Sequence, residues 1–264
     1  MENNSNKARQ ENRKALPKFL AIMVVSLLLG GGLGYGLAAL GTERFGALLA
    51  TAGQFFAQKI AGWLLIALPV VELAVCVPIY LGAKKQLAAW DGEDESVSSA
   101  VEDRLSLGMW VVGIEMILSF FLIAALGSGL MTAGKDKGYF LLYFAGAAAF
   151  LVSMVVEAVL QQKLVDLTKG LYPEKRGSVY DTKFSKKWYE SCDEAERQVI
   201  GQCAFKAYQA MSKVCVGLWL VFTLGGMFLD WGFLPALAVC IVWGVGMSVY
   251  CYWAIRKPGL PAVP

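Results

Sequence analysis

Residues Leu107–Met131 read LGMWVVGIEMILSFFLIAALGSGLM, 25 positions whose only charged side chain is Glu115. A helix needs about 20 apolar residues to cross a hydrocarbon core of about 30 Å, where no water can satisfy free backbone groups. This stretch exceeds that length and decides the class of the chain. Working outward, five more stretches approach or exceed it: Phe19–Leu40, Gly62–Leu81, Tyr139–Gln161, Val214–Leu229 and Phe233–Ile255. Val214–Leu229 is the shortest; Trp219 and the Asp230-Trp231-Gly232 turn mark its interface, and Met211 extends its apolar run backwards. The expected fold is all-α, a polytopic membrane helical bundle of about six transmembrane helices. Its parts are a basic tail over 1–18, a six-span domain over 19–255 with connections at 82–106 and 162–212, and a tail over 256–264.

Composition points the same way, since 57% hydrophobic and 17% charged residues cannot cover the surface of a soluble domain of 264 residues. Basic residues resist translocation, so their distribution orients the bundle. Of the 24 Lys and Arg, 20 lie in the two tails and the connections 82–106 and 162–213; only Arg44, Lys59, Lys135 and Lys137 fall on the other side. Both termini are therefore expected in the cytoplasm. An alternative reading makes the first span a cleaved signal peptide, with small residues at Gly36, Ala38 and Ala39. The length of Phe19–Leu40 suits an anchor better.

Between the first two spans, Phe45, Leu48, Leu49, Ala52, Phe55 and Phe56 form a helical apolar stripe over Glu43–Lys59. It is expected to lie in the outer interface or to extend the second span outward, a reentrant segment being the sharper alternative. Asp91–Asp103 is acidic but lacks the Gly and closing Glu of a calcium loop, so it reads as a solvated, helical linker. Connection 162–212 is too small for a core of its own and is expected to dock on the bilayer or on the helix ends. Within it Leu171–Gly177 reads as a turn, and Ser191-Cys192-Asp193-Glu194 as a capping box. Ala195, Val199, Cys203, Ala207 and Met211 then share a helix face, with Asp193 and Arg197 spaced to pair. Lys183, Phe184, Lys186, Lys187 and Trp188 interleave bases with aromatics, which fits contact with an anionic inner leaflet; nucleic acid would need a folded module that is missing here.

The run Leu171-Tyr172-Pro173-Glu174-Lys175, then Lys183-Phe184, Trp188, Cys192-Asp193-Glu194-Ala195-Glu196 and Lys206-Ala207-Tyr208 before the fifth span, carries a resemblance. It resembles a family of six-span membrane proteins from Gram-positive bacteria, catalogued only as a domain of unknown function. The resemblance implies a bacterial cytoplasmic-membrane location and no established activity, so it transfers no site residues.

The chain has no His, which removes His-based catalytic pairs and His-ligated metals. Gly127-Ser128-Gly129 has no general base and reads as a packing patch; Asp230 has no partner Asp, and there is no phosphate-binding loop. The six cysteines form no C-x-x-C pair and read as reduced thiols. No motif calls for a catalytic residue, cofactor or metal. Gly30, Gly32, Gly34 and Gly36 supply two overlapping G-x-x-x-G spacings for close helix packing, within the chain or across a dimer. The oligomeric state stays open.

Glu72, Glu115 and Glu157 form the candidate intramembrane polar site, because an ionised carboxylate in a span costs about 2.5–3.5 kcal/mol and no basic residue lies in any span. Each must be hydrated, protonated, cation-bound or reached by a loop base. The plain reading is a neutral Glu hydrogen-bonded to a neighbour such as Tyr80, Ser119 or Gln161. Val70-Val71-Glu72 recurs as Val155-Val156-Glu157, with Lys84 and Lys169 at the same offset of 85, which raises parallel hairpin repeats. Two functions follow. One is a non-enzymatic accessory, sensor or immunity-type protein in the lipid bilayer that binds a membrane-protein or peptide partner. The other is a small-solute or ion-coupled transporter using the glutamates.

Overall fold

The computed structural model describes residues 42–130, 132–134 and 136–256, with scattered positions between 13 and 36. The span expected at Phe19–Leu40 lies partly outside the described residues, and Gly34, Met131, Lys135 and residues 257–264 lie outside them. Among the described residues there is no strand, and five helices are long and apolar enough to cross a membrane. The protein is an all-α membrane bundle.

Helix α1 (Thr42–Phe55) passes through a π-helical turn, Phe56–Ile60, into α2 (Ala61–Ala89). The Ala61 N–H reaches back to the Phe56 carbonyl, and the extra residue is absorbed at Ile60 without ending the helix. The stripe at Glu43–Lys59 thus runs on into the second span as one helical run. Helix α3 (Glu95–Ser128) and α4 (Lys137–Leu171) follow, then the short α5 (Phe184–Glu190), α6 (Glu194–Phe228) and α7 (Leu234–Arg256).

Local chemistry sets these ends. Asp94 caps α3, its Oδ1 accepting from Ser96 N at 2.9 Å and Ser96 Oγ at 2.7 Å, while Asp91 accepts from the amides of Glu93 and Asp94. The acidic connection is therefore a helix start, where carboxylates meet free N–H groups and the positive end of the helix dipole. Asp136 caps α4 through Gly138 N at 2.9 Å. Pro173 follows the last turn of α4 and cannot continue it. Between α6 and α7, Asp230 and Gly232 adopt φ of 56° and 67°, a left-handed turn that Asp tolerates and Gly favours.

Two compact units divide the chain, one from Ala50 to Ala204, the other combining the residues up to Leu49 with those from Phe205. In the first, α2, α3 and α4 pack against one another. Gly62 and Gly146 allow this: a Cβ on Gly146 would sit 2.6 Å from Leu126 Cδ2 and 3.7 Å from Gly62 Cα. At 1.5 Å per residue α3 and α4 are each about 50 Å long, well beyond a 30 Å core. The excess lies at the end where α2 meets α3, packed by Ala83, Val101, Leu105, Leu164 and Leu171. Connection 82–106 and the first part of the second, 162–171, are thus largely continued bundle.

In the other unit, Tyr208 of α6 stacks on Tyr250 of α7, ring centroids 5.5 Å apart. Trp231 lies flat against Gly225, where a Cβ would come within 2.2 Å of the ring. Most apolar side chains of α6 and α7 are exposed, as lipid-facing helices require.

Candidate functional site

The buried face of α3 brings Glu115 and Ser119, one turn apart, to the axis of the three-helix unit, and α4 brings Ser153 and Glu157 at the same spacing. Glu72 joins them from α2. All five are buried, at 1% exposure for Glu72, 7% for Glu115 and 2% for Glu157. One apolar cluster, with Leu65, Leu122, Leu126 and Tyr139, closes the layer on one side; a second, with Cys76, Val112, Leu160 and Leu164, closes it on the other. The structure thus gathers all three predicted glutamates into one polar layer between two apolar plugs.

Within the layer the Ser119 hydroxyl donates to the Met116 carbonyl at 2.8 Å and lies 3.3 Å from Glu157 Oε1. A hydroxyl has one proton, so Ser119 Oγ donates to only one of these two acceptors at a time. Glu72 Oε1, Glu115 Oε2, Ser153 Oγ and Glu157 Oε2 have no hydrogen-bond partner. The three carboxylates lie within electrostatic range of one another, and three ionised groups there would repel. Among the described residues no group of three or more His, Cys, Asp or Glu is arranged to hold a metal ion. Of the partners considered from sequence, Ser119 is at Glu157, whereas the Tyr80 ring faces Lys163 Nζ at 5.6 Å.

The offset of 85 has limited reach. Of the seven buried residues on α2, only Ala61 and Glu72 match a buried residue 85 positions on, Gly146 and Glu157. Leu65, Cys76 and Ala83 correspond to Phe150, Gln161 and Thr168, which are partly exposed.

Neither of two cavities between helices touches the buried glutamates, nor does a third of about 480 Å³ lined by Glu174, Arg176, Lys187, Glu190 and Ser191. One of about 410 Å³ lies between α2 and α4, against Val77, Tyr80, Val156 and Lys163. The other, about 550 Å³, is a groove at the extended end of the bundle, walled by Glu102, Leu105 and Met109 of α3, Leu171 of α4, Phe184 and Trp188 of α5, and Ile200 of α6. Helix α5 builds its wall by dividing its residues. Phe184 and Trp188 are one turn apart, pack ring to ring at 5.6 Å and face the groove. Lys183, Lys186 and Lys187 are exposed, Lys187 pairing with Asp181 and Lys186 with Glu190 at 3.7 Å. Sequence alone put bases and aromatics on one lipid-facing surface; the fold places Phe184 and Trp188 on the groove wall and leaves the three lysines exposed beside it.

Two local expectations are corrected. The capping box is Asp193 with Glu196, Glu196 N donating to Asp193 Oδ1 at 2.8 Å and Asp193 N to Glu196 Oε2 at 2.9 Å. Ser191 instead accepts from Arg176 N and donates to the Trp188 carbonyl. Arg197, expected to pair with Asp193, donates to the carbonyls of Tyr189 and Glu190 at 3.2 and 3.0 Å and caps α5. Its guanidinium reaches free carbonyls at a helix end, which outcompete a solvated carboxylate.

Lys175 was not singled out by sequence. It is 5% exposed, forms an ion pair with Glu196 and lies 3.6 Å from Cys192 Sγ. Burial pulls its ammonium down, but the Glu196 carboxylate and the Cys192 sulfur outweigh that and hold it above the usual lysine range. Its partners lie about 20 residues away along a turn-rich segment, which no periodicity signals.

The Gly-rich run shows no close helix: among the described residues nothing lies within 4 Å of a Cβ position on Gly30, Gly32 or Gly36, and Gly34 is outside them. Gly129 of the Gly127-Ser128-Gly129 patch does pack, against the Tyr139 ring, whose hydroxyl donates to the Leu126 carbonyl. No protein-family model, curated protein or solved structure matches the chain.

Proposed function

We propose that this is a non-enzymatic protein of a bacterial cytoplasmic membrane, both termini in the cytoplasm, that works by binding: an accessory, sensor or immunity-type membrane partner. The observation that carries the reading is the contrast between the two polar features. The carboxylate layer is plugged by apolar side chains on both sides, and none of these cavities reaches it. The groove of about 550 Å³, by contrast, lies at the end that the basic residues assign to the cytoplasm. A solute path needs continuous polar access; a binding protein needs a formed surface.

A second reading, an ion-coupled transporter, is favoured by the four buried oxygens without partners. Proteoliposomes holding a pH-sensitive dye separate the two. Under an imposed pH step and potential, the binding reading expects the proton leak of protein-free vesicles, unchanged by Glu72→Gln, Glu115→Gln or Glu157→Gln. A leak above that background which any of these substitutions abolishes overturns it.

A further inference from the structure

We propose that the groove at the extended end of the bundle is a binding site for a lipophilic monocation, an amphiphile carrying one positive charge on a bulky apolar frame. The inference rests on the reading of the protein as a binder and names its ligand class.

Chemistry of the wall carries it. Leu105, Met109, Phe184 and Trp188 give it an apolar and aromatic surface, and among the described residues Glu102 is the one acidic or basic side chain in its lining. Tyr172 donates its hydroxyl to Glu102 Oε2 at 3.3 Å, which orients the carboxylate without neutralising it. Among the described residues Glu102 takes part in no ion pair, and the nearby lysines of α5 are exposed, two of them paired to other acids. A single unneutralised carboxylate against aromatic faces selects positive charge twice, by Coulomb attraction and through the negative faces of the rings. It disfavours an anion and leaves a doubly charged ligand half-compensated. The volume of about 550 Å³ suits one drug-sized molecule.

Position supplies the rest. Glu102 lies five residues before Leu107, where the apolar run of α3 begins, about 7 Å along the helix. Met109 is inside that run. The groove therefore spans the boundary between hydrocarbon and headgroups, the depth at which amphiphilic cations collect.

The test uses two ions of near-identical size and shape, tetraphenylphosphonium and tetraphenylborate, with the full chain in phosphatidylcholine nanodiscs and empty nanodiscs subtracted. Expected is saturable, one-site binding of the phosphonium only, weakened about tenfold by Glu102→Gln and abolished by the groove-filling Ser106→Phe. Gln keeps an acceptor for Tyr172, and Glu102→Asp should restore much of the affinity, which separates charge from folding. Equal binding of both ions, or phosphonium binding indifferent to Glu102→Gln, overturns the proposal. Tetraphenylborate binding that Ser106→Phe blocks overturns the cation assignment while leaving a binding protein. A groove that takes neither ion overturns the inference, and the vesicle measurement still decides the function.

Discussion

Ser119 Oγ on α3 lies 3.3 Å from Glu157 Oε1 on α4, among the described residues the one hydrogen-bonding contact that ties two helices together inside the buried carboxylate layer. Polar contacts between helices in a membrane average about 0.6 kcal/mol and reach about 1.7 kcal/mol. Ser119→Ala should therefore cost about 1 kcal/mol in the stability of the detergent-solubilised chain. Glu157→Gln, neutral and of the same shape, should cost less than that or stabilise. A strong loss with Glu157→Gln would mean that the fold requires an ionised carboxylate there.

Lys175 holds connection 162–212 to the start of α6 through Glu196, which in turn closes the capping box with Asp193. Lys175→Met should cost about 2 kcal/mol, because it removes a charged hydrogen-bond partner from a mostly buried site. Adding Glu196→Gln should recover part of the loss. Thermal unfolding of the two variants is the check, and a single variant as stable as the parent would contradict the assignment.

Asp181 accepts from Lys187 Nζ and from the Lys183 amide, and these bonds, the lysine first, hold its carboxyl below the usual carboxylate range. A carboxyl whose pKa is lower folded than unfolded stabilises fully above the unfolded value, near about 3.9, and loses that contribution as pH falls through the folded value. A nitroxide on Ser185→Cys should keep one mobility from about pH 8 to 5 and loosen only below about pH 4. Asp181→Asn should loosen it at neutral pH. Loosening centred near pH 6 would point to another group.

The proposed orientation puts Lys137 outside and Lys186 inside. In a chain without native cysteines, an impermeant thiol reagent added to intact cells should modify Lys137→Cys and miss Lys186→Cys. The reverse pattern would invert the bundle.

Much of this architecture was legible because a membrane forbids unpaired backbone, so hydropathy alone located the five spans found among the described residues, and a charge without a partner in a span marked Glu72, Glu115 and Glu157. Hydropathy stops at the water boundary, however, while the helices do not. The continuation of α3 was encoded in Val97, Val101 and Leu105 at four-residue spacing, a pattern hidden by the acidic residues around it. The groove wall that Phe184 and Trp188 build depends on helix ends distant in sequence, and Lys175 finds Glu196 across 21 residues. The capping box was misplaced by two residues because Ser191 and Asp193 are both good caps, and only the next turn decides between them.

Cys76 provides the most direct test that the bundle is sealed and that access is confined to the groove. It is 0% exposed and lies one turn from Glu72 on α2. In a chain with Cys192, Cys203, Cys215, Cys240 and Cys251 changed to Ser, the rate of N-ethylmaleimide modification should be negligible in native membranes and become rapid only after denaturation. Ser185→Cys, added to the same background, should react quickly. Modification of Cys76 at a rate comparable to Ser185→Cys would show that solvent reaches the carboxylate layer, and would contradict the account.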